Sequence, residues 1–180
     1  MEKRLRTVER AYKCLRLGRI GPFSGYRWPV GVWVEGGGNA ALCLRGIHAC
    51  RTEDLPYWLT QELWEIELDG DIRHEHRKLV ANRGRIERRI EAWTPASAAG
   101  FAEGCAARTE RRATQARGKQ AGRLAELAAD AAANAAKGEA ALLGFIAARA
   151  AELDAGTEGY ADERRAQASW LASELGLDAA

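Results

Sequence analysis

The sequence is 180 residues long, 47% hydrophobic and 29% charged, with a net charge of +2. That balance excludes wholesale disorder and argues against a protein held on nucleic acid by bulk electrostatics. The N-terminus, Met1-Glu2-Lys3-Arg4-Leu5-Arg6, leads into no apolar run, and the longest apolar stretch, residues 140–148, is too short to span a bilayer. The chain is therefore expected in a reducing cytoplasm without a membrane contact, with its four cysteines (Cys14, Cys43, Cys50 and Cys105) as thiols.

Taken in chain order, the first half reads as short strands between Gly/Pro turns. Residues 10–17 alternate, with Ala11, Lys13 and Leu15 on one side and Tyr12, Cys14 and Arg16 on the other. Residues 17–22 form a loop, and residues 26–35 read as a strand interrupted at Pro29. Gly36-Gly37-Gly38-Asn39 has no following helix and no phosphate-loop lysine, so it reads as a hairpin turn. Leu42-Cys43 and Ile47-His48-Ala49-Cys50 are strand ends around Arg45-Gly46. Thr52 opens a short helix over residues 53–59, its hydroxyl placed to cap it and Glu53 and Asp54 placed to complement the dipole.

Residues 63–69 are the clearest strand, with Trp64, Ile66 and Leu68 alternating with Glu65, Glu67 and Asp69. After the Asp69-Gly70-Asp71 turn, residues 78–81 and 85–93 continue as strands, Ile86 and Ile90 sharing one face. Near Thr94-Pro95 the composition changes. All four prolines and five of six tryptophans precede position 96, whereas 30 of the last 85 residues are alanine against 6 of the first 95. Alanine is the strongest helix former. Helices are expected at 96–113, 120–137, 139–154 and 159–176, broken near Gly118, Gly138 and Gly156. The fold class is therefore α+β. A small, mainly antiparallel β-domain with one short helix (1–94) precedes an alanine-rich helical hairpin or bundle (95–180).

The chemically interesting segment is Cys43 to Cys50, with two thiols and His48 in eight residues. Four readings stand. In the structural one the cysteines are buried and His48 holds the turn. In the second, Cys43, His48 and Cys50 bind zinc, with His74 or His76 as an outside ligand. The third is a disulfide between Cys43 and Cys50. The last is catalytic: Cys50, preceding a helix N-terminus, takes His48 as its base, and Glu67 or Asp69 orients the histidine. Residues 83–89 are basic and, with Trp93, could touch a nucleic-acid backbone through Arg85 and Arg89, but Glu87, Glu91 and the alternating isoleucines favour a solvated strand face. Glu65, Glu67 and Asp69 likewise read as the outer face of a half-buried strand.

Several stretches carry a resemblance: Ala11-Tyr12-Lys13, Gly21 to Pro29, Cys43-x-x-Gly46-Ile47-His48-Ala49-Cys50, Leu63 to Gly70, and a closing Tyr-x-x-Glu-Arg-x-x-Gln-x-x-Trp-Leu from Tyr160 to Leu171. The chain resembles an uncharacterised bacterial family, and over roughly residues 10–82 it is similar to small phage and bacterial domains of unknown function. The resemblance implies a shared fold and assigns no activity. The function expected is a non-catalytic binding or interaction module, with a shallow pocket around His48 lined by Tyr12, Tyr26 and Trp28, and with the helical region meeting a protein partner or a second copy. Zinc is the one metal the cysteines suggest, and no cofactor is favoured. The alternative is a small nucleotide-handling enzyme of the ADP-ribosyltransferase type, by analogy of gross architecture.

Overall fold

The computed structural model describes residues 8–36 and 46–177. The expected turn at Gly37–Asn39 and the strand end at Leu42-Cys43 lie outside these residues. The protein is α+β: antiparallel strands come first and helices follow. It divides into two compact units. One holds the chain through Leu55 together with Thr60–Glu91, and the other holds Pro56–Leu59 and the chain from Ala92 onward.

The strand unit is built from β1 (Glu9–Leu15), β2 (Val34–Glu35), β3 (Ile47–Ala49), β4 (Glu62–Asp69), β5 (Arg73–Glu75), β6 (Lys78–Ala81) and β7 (Arg83–Arg89). One sheet runs β1-β4-β7-β2 and the other β3-β6-β5, every ladder antiparallel. The sheets meet where Tyr12 and Cys50 exchange both backbone hydrogen bonds at 2.8 Å. Alternation explains the core: Ala11 and Leu15 of β1, Trp64, Ile66 and Leu68 of β4, and Ile86 of β7 pack with Ile47, Ala49, Leu79 and Ala81 of the smaller sheet and with Trp28. Each leucine or isoleucine so enclosed contributes about 1.5–3 kcal/mol, and the alanines less.

Three expectations are corrected. The strand expected at 26–35 with an interruption at Pro29 is reduced to β2, because Pro29 has no N–H to give a ladder and Gly31 takes a left-handed φ of 71°. The short helix is a 3-10 turn over Thr52–Tyr57 with Pro56 inside it. The Thr52 hydroxyl, buried, makes no hydrogen bond and caps nothing. Strand β5 was illegible, being three exposed or part-exposed polar residues whose pairing with β6 carries no apolar period.

The helical unit contains α1 (Pro95–Gln115), α2 (Ala121–Ala135) and α3 (Ala140–Leu175). Thr94 caps α1: its hydroxyl accepts from Ser97 N at 3.1 Å, Thr94 N donates to Ser97 Oγ at 2.8 Å, and Pro95 follows at the first helical position. The long α3 is two helices joined at Ala155–Gly156, where φ reaches 68° at the glycine, so the expected break at Gly156 is present as a kink. Helix α1 packs on both α2 and α3. Alanines 147, 148, 150 and 151 lie buried with Leu143 and Leu171, their small side chains allowing close helix approach.

Candidate functional site

Two features of the strand unit concentrate chemistry. The first is the long connection between β1 and β2. Just past β1, Arg16 and Ile20 exchange backbone hydrogen bonds at 2.8 and 3.2 Å, closing a turn in which Gly18 and Arg19 both have positive φ, 79° and 65°. Arg19 is the one non-glycine with that conformation among the described residues, a cost of about 1 kcal/mol. The buried carboxylate of Glu62 offsets it, accepting from Gly18 N at 3.0 Å, Arg19 N at 3.1 Å and Trp64 Nε1 at 3.0 Å.

The chain then folds into a second small hairpin. Ile20 bridges Arg27, Gly21 N donates to Tyr26 O at 2.8 Å, and Gly25 N donates to Gly21 O at 2.9 Å. Trp28, 5% exposed, anchors it in the core, and Trp28 N donates to Arg19 O at 3.0 Å. Further on, Gly31 N donates to Ile86 O at 2.9 Å. The backbone of this loop is thus tied down repeatedly, yet its apolar side chains face outward. Phe23 at the hairpin tip is 89% exposed and Leu17 68%, with Tyr26, Val30 and Val32 also exposed. The loop is thus hydrogen-bonded along its backbone while it holds large apolar groups in water.

The second feature surrounds Lys13. It lies on the same side of β1 as the core residues Ala11 and Leu15, its ammonium 4.4 Å from the Trp28 ring and 2.6 Å from the His48 carbonyl oxygen that accepts from it. Burial pulls its pKa down to about 8, against the opposing influence of Cys50 and Cys14. Tyr26 meets Trp28 edge-on at 5.8 Å. Of the pocket residues expected from sequence, Tyr26, Trp28 and the His48 backbone therefore converge through Lys13. Tyr12 does not join them, since it points to the opposite side of β1, where Cys14 lies. Lys13 itself was missed. Its signal was a charged residue on the apolar side of an alternating strand.

The Cys50 thiol donates to Tyr12 O at 3.4 Å and lies beside Cys14. The Cys14 contact first, and burial second, push the Cys50 thiol well above the ordinary range. It is held in its protonated, unreactive form, and the neighbouring 3-10 turn offers no full helix dipole to reverse that. His48 is lowered by burial first and then by Lys78 and Lys13, with Glu75 opposing. Cys50 is a free thiol, while Cys43, needed for the disulfide and for the zinc set, lies outside the described residues. Among the described residues no three His, Cys, Asp or Glu side chains group to hold a metal. His74 Nε2 lies 3.1 Å from Glu9 Oε2, and His76 is exposed.

The acids of β4 are engaged across the strand by the arginines of β7. Asp69 pairs with Arg83, Glu67 with Arg85 at 2.7 Å, and Glu65 with Arg88 after a register shift between Trp64 and Ile66. The Trp33 ring covers Arg83 and Arg85 at 4.8 and 4.9 Å. Glu67 and Asp69, candidates for orienting His48, serve this ladder. Arg85 serves it too, and Arg89 lies 4.0 Å from Glu91. Trp93 is buried in the helical unit.

Fold and site together define an α+β protein whose strand unit displays a braced, apolar-tipped loop beside a half-buried lysine. The chain belongs to the family described as Domain of unknown function (DUF7666), whose model matches residues 3–98. No curated protein and no solved structure matches it. The loop, Lys13 and the Cys14–Cys50 pair all fall inside the matched residues, and the closing motif from Tyr160 to Leu171 falls outside them.

Proposed function

We propose that this chain is a non-catalytic binding module that engages a protein partner through the loop between β1 and β2. The observation that carries it is Phe23, 89% exposed at the tip of a hairpin whose backbone is fixed by its own hydrogen bonds and by Glu62. Pre-ordering such a loop lowers the entropy cost of ordering it on binding, and aromatic side chains, phenylalanine among them, are enriched at the cores of interfaces. A reducing compartment suits the module, since Cys14, Cys50 and Cys105 are free and buried. No helix is long and apolar enough to cross a membrane among the described residues.

The test is affinity capture from lysate with wild-type and Phe23→Ser baits, quantified by mass spectrometry after equal thermal stability has been confirmed. At least one protein should fall about tenfold or more on the variant. Identical capture by both baits removes the loop as the docking face.

A second reading, self-association through the helical unit, is favoured by Leu142 and Phe145, one turn apart on α3 and both exposed. Sedimentation of wild type against Phe145→Glu checks it. A concentration-dependent dimer lost in the variant supports it, and a monomer throughout removes it.

A further inference from the structure

We infer that the partner of the loop is an acidic protein segment bearing an apolar anchor, a step that rests on the loop being a docking face. From residue 10 to residue 34 the sequence has no Asp or Glu but contains Arg10, Lys13, Arg16, Arg19 and Arg27, in a chain whose net charge is only +2. The contrast with the rest of the strand unit is sharp. There, Arg51 pairs with Asp54, Arg73 with Asp71, and the β7 arginines with the acids of β4. Among the described residues, Arg16, Arg19 and Arg27 have no carboxylate partner, and the Arg16 guanidinium reaches the Pro22 carbonyl instead. Arg16 and Arg27 are exposed.

The loop therefore sets a net positive field around Phe23: three arginine side chains stand without a carboxylate partner among the described residues, against the single buried carboxylate of Glu62 held on the loop backbone. Electrostatic complementarity selects a partner whose own charge is negative, speeding encounter and rejecting basic competitors. The apolar groups separate a protein from a nucleic acid. Phe23 and Tyr26 offer rings on which a base can stack, but Leu17, Val30 and Val32 are aliphatic, and three of the five exposed apolar groups therefore suit apolar side chains and not bases. They separate it from a bilayer as well. Val30 bridges to Ile86 of β7 whereas Phe23 stands at the hairpin tip, so the exposed apolar groups are spread between tip and sheet, which suits an extended peptide better than a single insertion point.

The experiment is selection from a phage-displayed library of random peptides of about 12 residues on the full-length protein, counter-selected on Phe23→Ser. Enriched peptides should carry net negative charge with at least one large apolar residue. They should bind R19E/R27E, a variant first shown to keep the wild-type circular dichroism and melting point, about tenfold or more weakly. Their binding should also weaken as salt is raised. Enriched peptides without negative charge overturn the charge inference and leave the loop reading standing. No enrichment over Phe23→Ser overturns both. Two further arms use an oligothymidine of about 20 nucleotides and vesicles containing about one-fifth phosphatidylserine. Binding to either that both variants abolish, with no peptide selected, assigns the loop to that class and overturns the inference.

Discussion

Lys13 carries a cost that its position makes measurable. Its pKa falls from 10.5 to about 8 because the folded chain withdraws the ammonium from water faster than the Trp28 ring and the His48 carbonyl repay it. The folded value lies below the unfolded one, so the unfolded state holds the proton more tightly. Below about pH 8 both states are charged and the fold bears the whole penalty. Between about pH 8 and 10.5 the folded amine is neutral while the unfolded one is still protonated, so stability from this group rises with pH. Lys13→Met removes that rise. Denaturant midpoints across this range should shift in favour of wild type, relative to the variant, by about 1–3 kcal/mol. Parallel pH profiles would show a solvated lysine. The same scale explains the thiols: Cys50 and Cys105, the latter pushed up to about 12 chiefly by burial, have no thiolate to offer near neutral pH.

Among the elements, the second part of α3 is the most instructive. Sequence periodicity placed Tyr160, Gln167, Trp170, Leu171 and Leu175 on one side, and the structure shows what that side does. Buried Glu163 accepts from Arg108 Nε at 2.9 Å and from Gln167 Nε2 at 2.9 Å. Gln167 Nε2 also donates to Gly144 O at 3.0 Å, and its Oε1 accepts from Arg164 at 3.0 Å. Arg164 lies between the rings of Tyr57 and Tyr160, at 4.5 and 5.5 Å, and donates to Pro56 O at 3.0 Å. The polar residues of the closing motif are thus one interior network, in which each buried group relies on the next. Glu163→Ala removes the carboxylate that Arg108 pairs with, leaving Gln167 Nε2 only the Gly144 carbonyl, and should lower stability by about 3–5 kcal/mol in thermal denaturation. Arg165→Ala, exposed on the same helix and paired with Asp162, should change it by less than about 0.5 kcal/mol. Comparable losses from both would mean that the network is solvated.

At the scale of the whole chain, the helical unit includes Pro56–Leu59, a piece drawn from well before the composition shift at Pro95. Leu59 is buried and Pro56 supplies the carbonyl that Arg164 needs. A fragment of residues 95–180 lacks that piece, leaving a buried guanidinium short of one acceptor and one ring. Its helical circular dichroism should melt less cooperatively and at lower temperature than in the full chain. An unchanged melt would make Pro56–Leu59 dispensable.

What the sequence determined by itself was whatever depends on the local period. Alternation at 10–17, 63–69, 78–81 and 85–93 marked β1, β4, β6 and β7, because a strand with one buried side must repeat every second residue. Alanine content and Gly118, Gly138 and Gly156 marked the helices and their breaks, because propensity and backbone freedom act residue by residue. Tertiary structure decided the rest. Glu62 lies 44 residues from the Gly18 N–H it accepts from, Cys50 lies 38 from the Tyr12 carbonyl its thiol approaches, and the acids of β4 find their arginines only once β7 is in register. No short window records such partners. The shape of the loop that displays Phe23, the protonation of Cys50 and the enclosure of Lys13 are all properties of groups brought together from distant positions, so only the folded chain could show them.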